Sequence, residues 1–341
     1  MLTALLLSTA IVGQASPAPS NTAILLNRKF VKGEYNFYKM NALLVVEIKE
    51  KGLDTFLPSE VGYEYSFNTT VKSLDEDGNA SMRYERGPTY RIDSDSENLG
   101  TKKVKESDPF KLDMILSPIN HFIEVKEVKA PTKPAPKLMA MRPQQEVSPT
   151  TITQILAGSY IMELYRLSLF IGSLDSAFDF SPKLPDDPVK VGDTWLTTVS
   201  YQPQKTGASS QTMVQRLDMK YRYDGPKTVG NKKVERVSAT LSLDSELTSF
   251  INSQFGMSAS TSPIKGMRLT FKSDITFDLE PKTFKTLRGQ ALSNGTVKLD
   301  WKGEEGTFAE RKWTGESNFE LAGTKIVKVP ASGGGRQSRA R

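Results

Sequence analysis

Apolar and polar residues alternate with a period of two over much of this chain, the pattern of strands that bury one face and wet the other. Val61, Tyr63, Tyr65, Phe67, Thr69 and Val71 fall on one side of such a strand, and Gly62, Glu64, Ser66, Asn68, Thr70 and Lys72 on the other. Asp77-Gly78 then predicts a tight hairpin, with Ala80 to Tyr84 as the returning strand. Further strands are expected over 41–50, 111–116 and 122–128, so that residues 23–130 form a first β meander of five or six strands. A second meander is expected over 175–330. It is carried by Leu217-Met219-Tyr221-Tyr223, by Val237-Ala239-Leu241-Leu243, and by Met267-Leu269-Phe271 continuing to Ile275-Phe277-Leu279. Its turns are predicted at Asp224-Gly225-Pro226, Val229-Gly230-Asn231 and Asn294-Gly295. The Ser- and Thr-rich stretch 248–264 reads as a long loop.

Between the meanders the period changes. Residues 131–150 carry five prolines, Pro131, Pro134, Pro136, Pro143 and Pro149, and read as a linker or surface loop. Residues 151–174 predict a helix whose apolar side chains, among them Ile152, Ile155, Leu156, Ile161, Leu164 and Leu167, cover most of its circumference. Such a helix belongs inside protein, and Glu163 and Arg166 at its centre argue against lipid. The expected fold is mainly β (α+β): a strongly curved antiparallel sheet or half-barrel packed on one long apolar helix. Two small β domains would satisfy the same pattern.

A chain of 341 residues with 38% hydrophobic content can bury a core without staples. The first fifteen residues, apolar from Leu2 to Val12 and ending Gly13-Gln14-Ala15, read as a signal peptide, with 16–22 as a flexible leader. An exported chain, periplasmic or extracellular and soluble after cleavage, is therefore expected. No later stretch reaches the roughly 20 apolar residues of a membrane-spanning helix. The tail 331–341 is Gly-rich and basic and is expected to be disordered.

The charge balance, 45 basic against 39 acidic residues, is too even for a nucleic-acid surface, and Lys220, Arg222, Arg268 and Lys272 sit at outward-facing strand positions. With no cysteine and only His121 among histidines, thiolate sites, histidine metal clusters and Ser-His-Asp triads lack their parts. Asp75-Glu76-Asp77-Gly78-Asn79 has the look of a calcium loop but lacks the twelfth-position ligand and sits at a hairpin. Asp186/Asp187 and Glu304/Glu305 are neighbours that point to opposite faces of a strand, and no G-x-S-x-G elbow or P-loop occurs. Neither a catalytic residue nor a metal or cofactor site is expected.

One segment, Leu184-Pro185-Asp186-Asp187-Pro188-Val189-Lys190-Val191-Gly192-Asp193-Thr194-Trp195, resembles the P-x-x-P-V-x-V-G-D-x-W motif of exported bacterial β-rich families of unknown function. Those families are similar in turn to the half-barrels of LolA-type lipoprotein carriers, which implies a curved sheet around an apolar ligand. Unlike their lipoprotein members, this chain has no cysteine to lipidate. Read from its residues alone the motif is structural: Pro185 and Pro188 stop one segment, Gly192-Asp193 turns the chain, and Trp195 opens a strand.

The candidate ligand site is the inner face, with Tyr63, Tyr65, Phe67, Met219, Tyr221, Leu269 and Phe271 lining a pocket for a lipid or other apolar small molecule. Packing of the same side chains on the helix is the reading that protein interiors, which normally close, favour over a pocket. The expectation is thus a non-enzymatic envelope protein that binds an apolar ligand or an envelope component. The alternatives are a structural or adhesive surface protein contacting anionic wall or membrane polymers, and an unrecognised hydrolase.

Overall fold

The computed structural model describes residues 22–50, 54–95, 100–128, 181–201, 215–249, 262–303 and 309–329, with a few single residues between them. The expected signal peptide, linker, helix and tail, and all of the leader but Thr22, lie outside the described residues.

The strands run in chain order as β1 (Glu34–Glu50), β2 (Leu57–Leu74), β3 (Ala80–Arg86), β4 (Thr89–Asp95), β5 (Gly100–Ser107), β6 (Phe110–Leu116) and β7 (Phe122–Glu127), then β8 (Thr194–Tyr201), β9 (Gln215–Val229), β10 (Lys232–Glu246), β11 (Ile264–Leu279), β12 (Thr286–Trp301) and β13 (Ala309–Ile326). All thirteen belong to one antiparallel sheet in the order β7-β6-β3-β2-β1-β13-β12-β11-β10-β9-β8, with β4 beside β2 and β5 beside β4. The two meanders become one body because the first strand pairs with the last along its whole length, from Glu34 opposite Ile326 to Glu50 opposite Ala309.

β4 and β5, which alternation did not reveal, continue β3 and β6 past a kink. Arg86 lies opposite Phe110 and Thr89 opposite Ser107, which leaves Gly87-Pro88 facing Asp108-Pro109. Two prolines at one level remove two ladder donors, so the hairpin bends there. Lys102, Lys103 and Lys105 then line the outer strand of this arm and discourage edge-to-edge association.

Flat, the eleven strands from β7 to β8 would hold their edges about 48 Å apart, ten spacings of ~4.8 Å. They are far closer at one end. The segment 181–185 accepts or gives hydrogen bonds on both sides: Leu184 N to Ile119 O (3.0 Å) in the β6–β7 turn, and Trp195 Nε1 of β8 to Lys183 O (2.9 Å). Two adjacent residues cannot bridge a flat sheet. The sheet is therefore curled so that its edges meet over this strap, although no ladder closes it into a barrel among the described residues.

The apolar face lies inside the curl, because Trp195 stacks on buried Tyr221 (5.6 Å between ring centroids) while Leu184 of the strap is buried in the same core. Tyr38, Met40, Ala42, Leu44 and Val46 supply the inner face of β1; Lys39, Asn41 and Glu47 face water. On β12 the inner positions are small, Gly289, Ala291, Ser293 and Gly295, which makes a trough for aromatic rings from both sides. Gly295 lies between Phe271 and Trp313 in register, and Gly289 between Phe277 and Phe319. A Cβ on Gly295 would sit 2.0 Å from Trp313 Cζ2, and one on Gly289 2.3 Å from Phe319 Cε1. Phe271 and Trp313 stack above the first glycine at 6.3 Å.

This corrects two predicted turns. Asn294-Gly295 lies in the middle of β12, where glycine serves close approach and not reversal. Asp224-Gly225-Pro226 lies within β9, where Asp224 is the extra residue of a bulge between the pairs Tyr223–Val237 and Gly225–Arg236, and Val191 packs against Gly225 (φ +80°). The turns at Asp77-Gly78 and Gly230-Asn231 connect β2 to β3 and β9 to β10 as expected. The Asp75 carboxylate accepts from the Asp77 and Asn79 amides and so spends its lone pairs on the turn.

On the outer face Asp113 of β6 ties three strands together, accepting from Arg83 Nε and Nη2 (2.9 and 2.8 Å) and from Lys72 Nζ (2.5 Å). The Arg83 bonds, with help from Lys72, hold its carboxyl below the usual aspartate range. A depressed folded pKa stabilises the fold above the unfolded value near 3.9, and the contribution disappears as pH falls through the folded value. We expect Asp113→Asn to lower the urea midpoint by an amount worth at most about 1 kcal/mol at pH 6 after solvent screening, and to flatten its decline between pH 4 and pH 2. An unchanged acid slope would show that the triad does not couple to folding.

Candidate functional site

The seven candidate residues all project onto the inner face, and all are buried. Tyr63, Tyr65 and Phe67 stand on β2, where Phe67 meets Tyr38 face to face (4.7 Å) and Tyr84 at a tilt (5.5 Å), with Tyr65 6.0 Å away. Met219 and Tyr221 stand on β9, Leu269 and Phe271 on β11. The trio and the quartet are separated by β1, β13 and β12, and among the described ring contacts none joins Phe271 to the trio. The structure thus brings them onto one wall, as two patches.

Of the seven, only Phe271 borders a described cavity. That cavity, about 530 Å³, lies over β10 to β13 and β1 and is walled mainly by outward-pointing Glu47, Asp244, Thr270, Lys272, Thr296 and Lys312. A second, about 390 Å³, adjoins it at Arg268, Lys298 and Glu310. The cations of this face meet carboxylates: Arg268 pairs with Asp244 (3.0 Å), Lys272 with Asp274 (2.6 Å), and Lys298 and Lys312 each approach Glu310 (3.9 Å). Arg222 likewise pairs with Asp224. Each of these described cations is thus offset by a carboxylate.

The base of the curl holds the densest chemistry. Arg28, from the segment before β1, donates from Nη2 to Glu34 Oε1 (2.7 Å), which also accepts from Asn36 Nδ2 (2.6 Å) and lies 3.8 Å from Lys285 Nζ. Arg28 Nη1 reaches the carbonyls of Lys29 (2.7 Å) and Thr283 (3.3 Å), and Thr324 Oγ1 donates to Asn36 Oδ1 (2.8 Å). Tyr38 closes the cluster by donating its hydroxyl to Thr286 O (2.9 Å), and its burial pushes the phenol well above the ordinary range. These groups latch the N-terminal segment across the ends of β1, β12 and β13. Sequence reasoning passed over them, yet a signal was there: Glu34 and Asn36 occupy inner-face positions of β1, where alternation calls for apolar side chains.

The motif residues build the strap. Pro185 is buried and Pro188 exposed; Val189 bridges to Ile24; Asp193 Oδ2 accepts from Lys190 N (2.8 Å) to shape the turn at Gly192 (φ +96°). Gly192 N donates to Tyr223 O and Tyr223 N to Asp193 O, which seats β8 on the end of β9. Trp195 acts here through its indole N–H, which anchors Lys183 O, as much as through its ring.

His121 ends the β6–β7 turn against the same strap. Its backbone amide donates to Ser117 Oγ (3.1 Å), and the ring Nε2 is buried without a hydrogen-bond partner.

No family model and no curated protein matches the sequence. Solved structures similar to it at low levels include two. One is lipovitellin, described for its lipid–protein interactions, at 12% identity over 88% of this chain and a TM-score of 0.38. This chain spans about a quarter (26%) of that one. The other is a DUF1329 family protein from Desulfovibrio piger, at 10% identity over 83% of this chain and 85% of that one, with a TM-score of 0.12. Scores this low transfer neither architecture nor activity from one chain to the other.

Proposed function

We propose that the protein is an exported, non-enzymatic carrier that holds a lipid or another apolar molecule against the inner face of its curled sheet. The observation that carries this reading is the combination of an apolar inner wall, built by β1, β2, β3, β6 and β9 to β13 and flanked by Phe122 and Trp195, with a seam between β7 and β8 that a strap joins and, among the described residues, no ladder seals. A closed barrel fixes its own circumference, whereas a seam lets the wall widen to admit a ligand and shut on it. The two aromatic patches, Tyr63, Tyr65 and Phe67 on one side and Met219, Tyr221, Leu269 and Phe271 on the other, supply the contact surface. Patches of this apolar character select by apolar area more than by head group.

Native mass spectrometry of the purified protein, with solvent extraction of what it carries, tests this directly. A reproducible mass increment matching an extracted amphiphile is expected, together with uptake of a fluorescent fatty acid after delipidation. Protein that is always empty and leaves the fatty acid in water would refute the carrier. Phe67→Asp should weaken uptake at least tenfold in protein that still folds.

A further inference from the structure

We propose that the strap at the base is an acid-sensitive clasp, and that protonation of His121 releases residues 181–185 and opens the seam between β7 and β8. The opening needs no ligand; only its use in unloading cargo rests on the carrier reading.

His121 is the chain's sole histidine and sits where the two sheet edges are joined. Among the described bonds, Lys183 Nζ donates to Asn120 O (2.5 Å), Asn120 Nδ2 donates to Pro182 O (2.9 Å), and Leu184 N donates to Ile119 O (3.0 Å), while Ser181 Oγ meets Thr286 Oγ1 (3.1 Å) on β12. Asn120 is held at φ 60°, a left-handed conformation that its strap contacts stabilise. On the far side only Trp195 Nε1 and the 190–193 turn link the strap to β8 and β9 among the described bonds.

Among the described residues, two ionisable groups act on the His121 ring, both from the strap: Lys183, buried with its ammonium 4.0 Å from the Phe122 ring centroid, and exposed Asp186. The third segment packed on this turn, residues 24–30, brings Arg28 N to Pro118 O, but its guanidinium is turned to Glu34. A proton on Nε2 would place a second cation beside a buried first one, with no acceptor to receive it. Burial first, and the Lys183 charge second, hold the ring below the ordinary histidine value, against a smaller pull from Asp186. The sign follows. With the clasp open the ring titrates near 6.5, and with it shut only at lower pH, so the open state binds the proton more readily. Closure is favoured above about pH 6.5 and loses ground as pH falls below it.

Hydrogen exchange of the ligand-free full chain at pH 7.5 and 5.5, corrected for intrinsic rates, tests the clasp. We expect faster exchange at pH 5.5, by up to about the tenfold that one proton can supply across this interval, in peptides spanning 117–128 and 181–201, and no change in 286–301. His121→Gln, neutral at both values, should abolish the difference. A wild type without the response, or a His121→Gln protein that keeps it, would overturn the clasp. Should the variant fail to fold, the wild type still decides: its one imidazole resonance must titrate below the ordinary histidine midpoint, and a midpoint at or above it overturns the idea. Opening observed in a protein that carries no amphiphile supports the clasp while removing the carrier reading.

Discussion

Gly295→Ala is expected to destabilise the protein by about 3 kcal/mol, at the upper end of what overpacking costs. In an ordinary strand the same change is worth roughly 0.5–1 kcal/mol in the opposite direction, because alanine loses less backbone entropy on folding. The sign reverses here because the new methyl would lie 2.0 Å from Trp313 Cζ2. The indole cannot swing aside: it is 2% exposed and stacked on Phe271. Urea unfolding measures the loss. Pairing Gly295→Ala with Trp313→Leu should recover more than about 1 kcal/mol relative to the sum of the two single changes, since the clash exists only when both groups are present. Additive losses would mean that the ring does not lie over the glycine.

Glu34→Gln is expected to cost about 3–5 kcal/mol, the range for removing one member of a buried ion pair. Glu34 is the carboxylate on which Arg28 and Lys285 converge, and all three side chains are about a tenth exposed or less. A glutamine in its place still accepts one hydrogen bond but leaves two interior cations with, among the described residues, Glu280, 3.9 Å from Lys285, as the remaining nearby counter-charge. Because Arg28 fastens the N-terminal segment over the ends of β1 and β12, the damage should show as proteolysis within residues 22–33 before global unfolding. Intact resistance there at native-like stability would demote the cluster to a solvated surface network.

How much of this was legible beforehand depends on how local each signal is. The strands at 61–71, 217–223, 237–243 and 267–279 are evident because side chains two apart share a face, and no distant partner is needed to see it. The pairing of β1 with β13 joins residues nearly 300 positions apart and is silent in any local window. Asn294-Gly295 has ordinary hairpin chemistry, and the opposing demand, a bare backbone under Trp313, comes from a neighbouring strand. Pro226 likewise suggested a turn but sits beyond a bulge that Val191 fills. β4 and β5 escaped notice because Val104 is flanked by lysines and their alternation is too short to stand out. The seven inner residues were placed on a common face correctly by alternation; that they form two patches follows from strand order, which alternation does not encode. His121 looked incidental until the turn beside it proved to be where the edges meet.

The curl of the sheet is the claim on which the interior, the seam and the clasp all depend. Because the chain has no cysteine, Ile123→Cys and Leu196→Cys can be spin-labelled cleanly at two exposed sites on β7 and β8. Double electron–electron resonance at pH 7.5 should then give a distance mode below about 30 Å, as edges joined by a short strap require. A mode near or above about 50 Å, the width of an uncurled sheet of this strand order, would contradict the account.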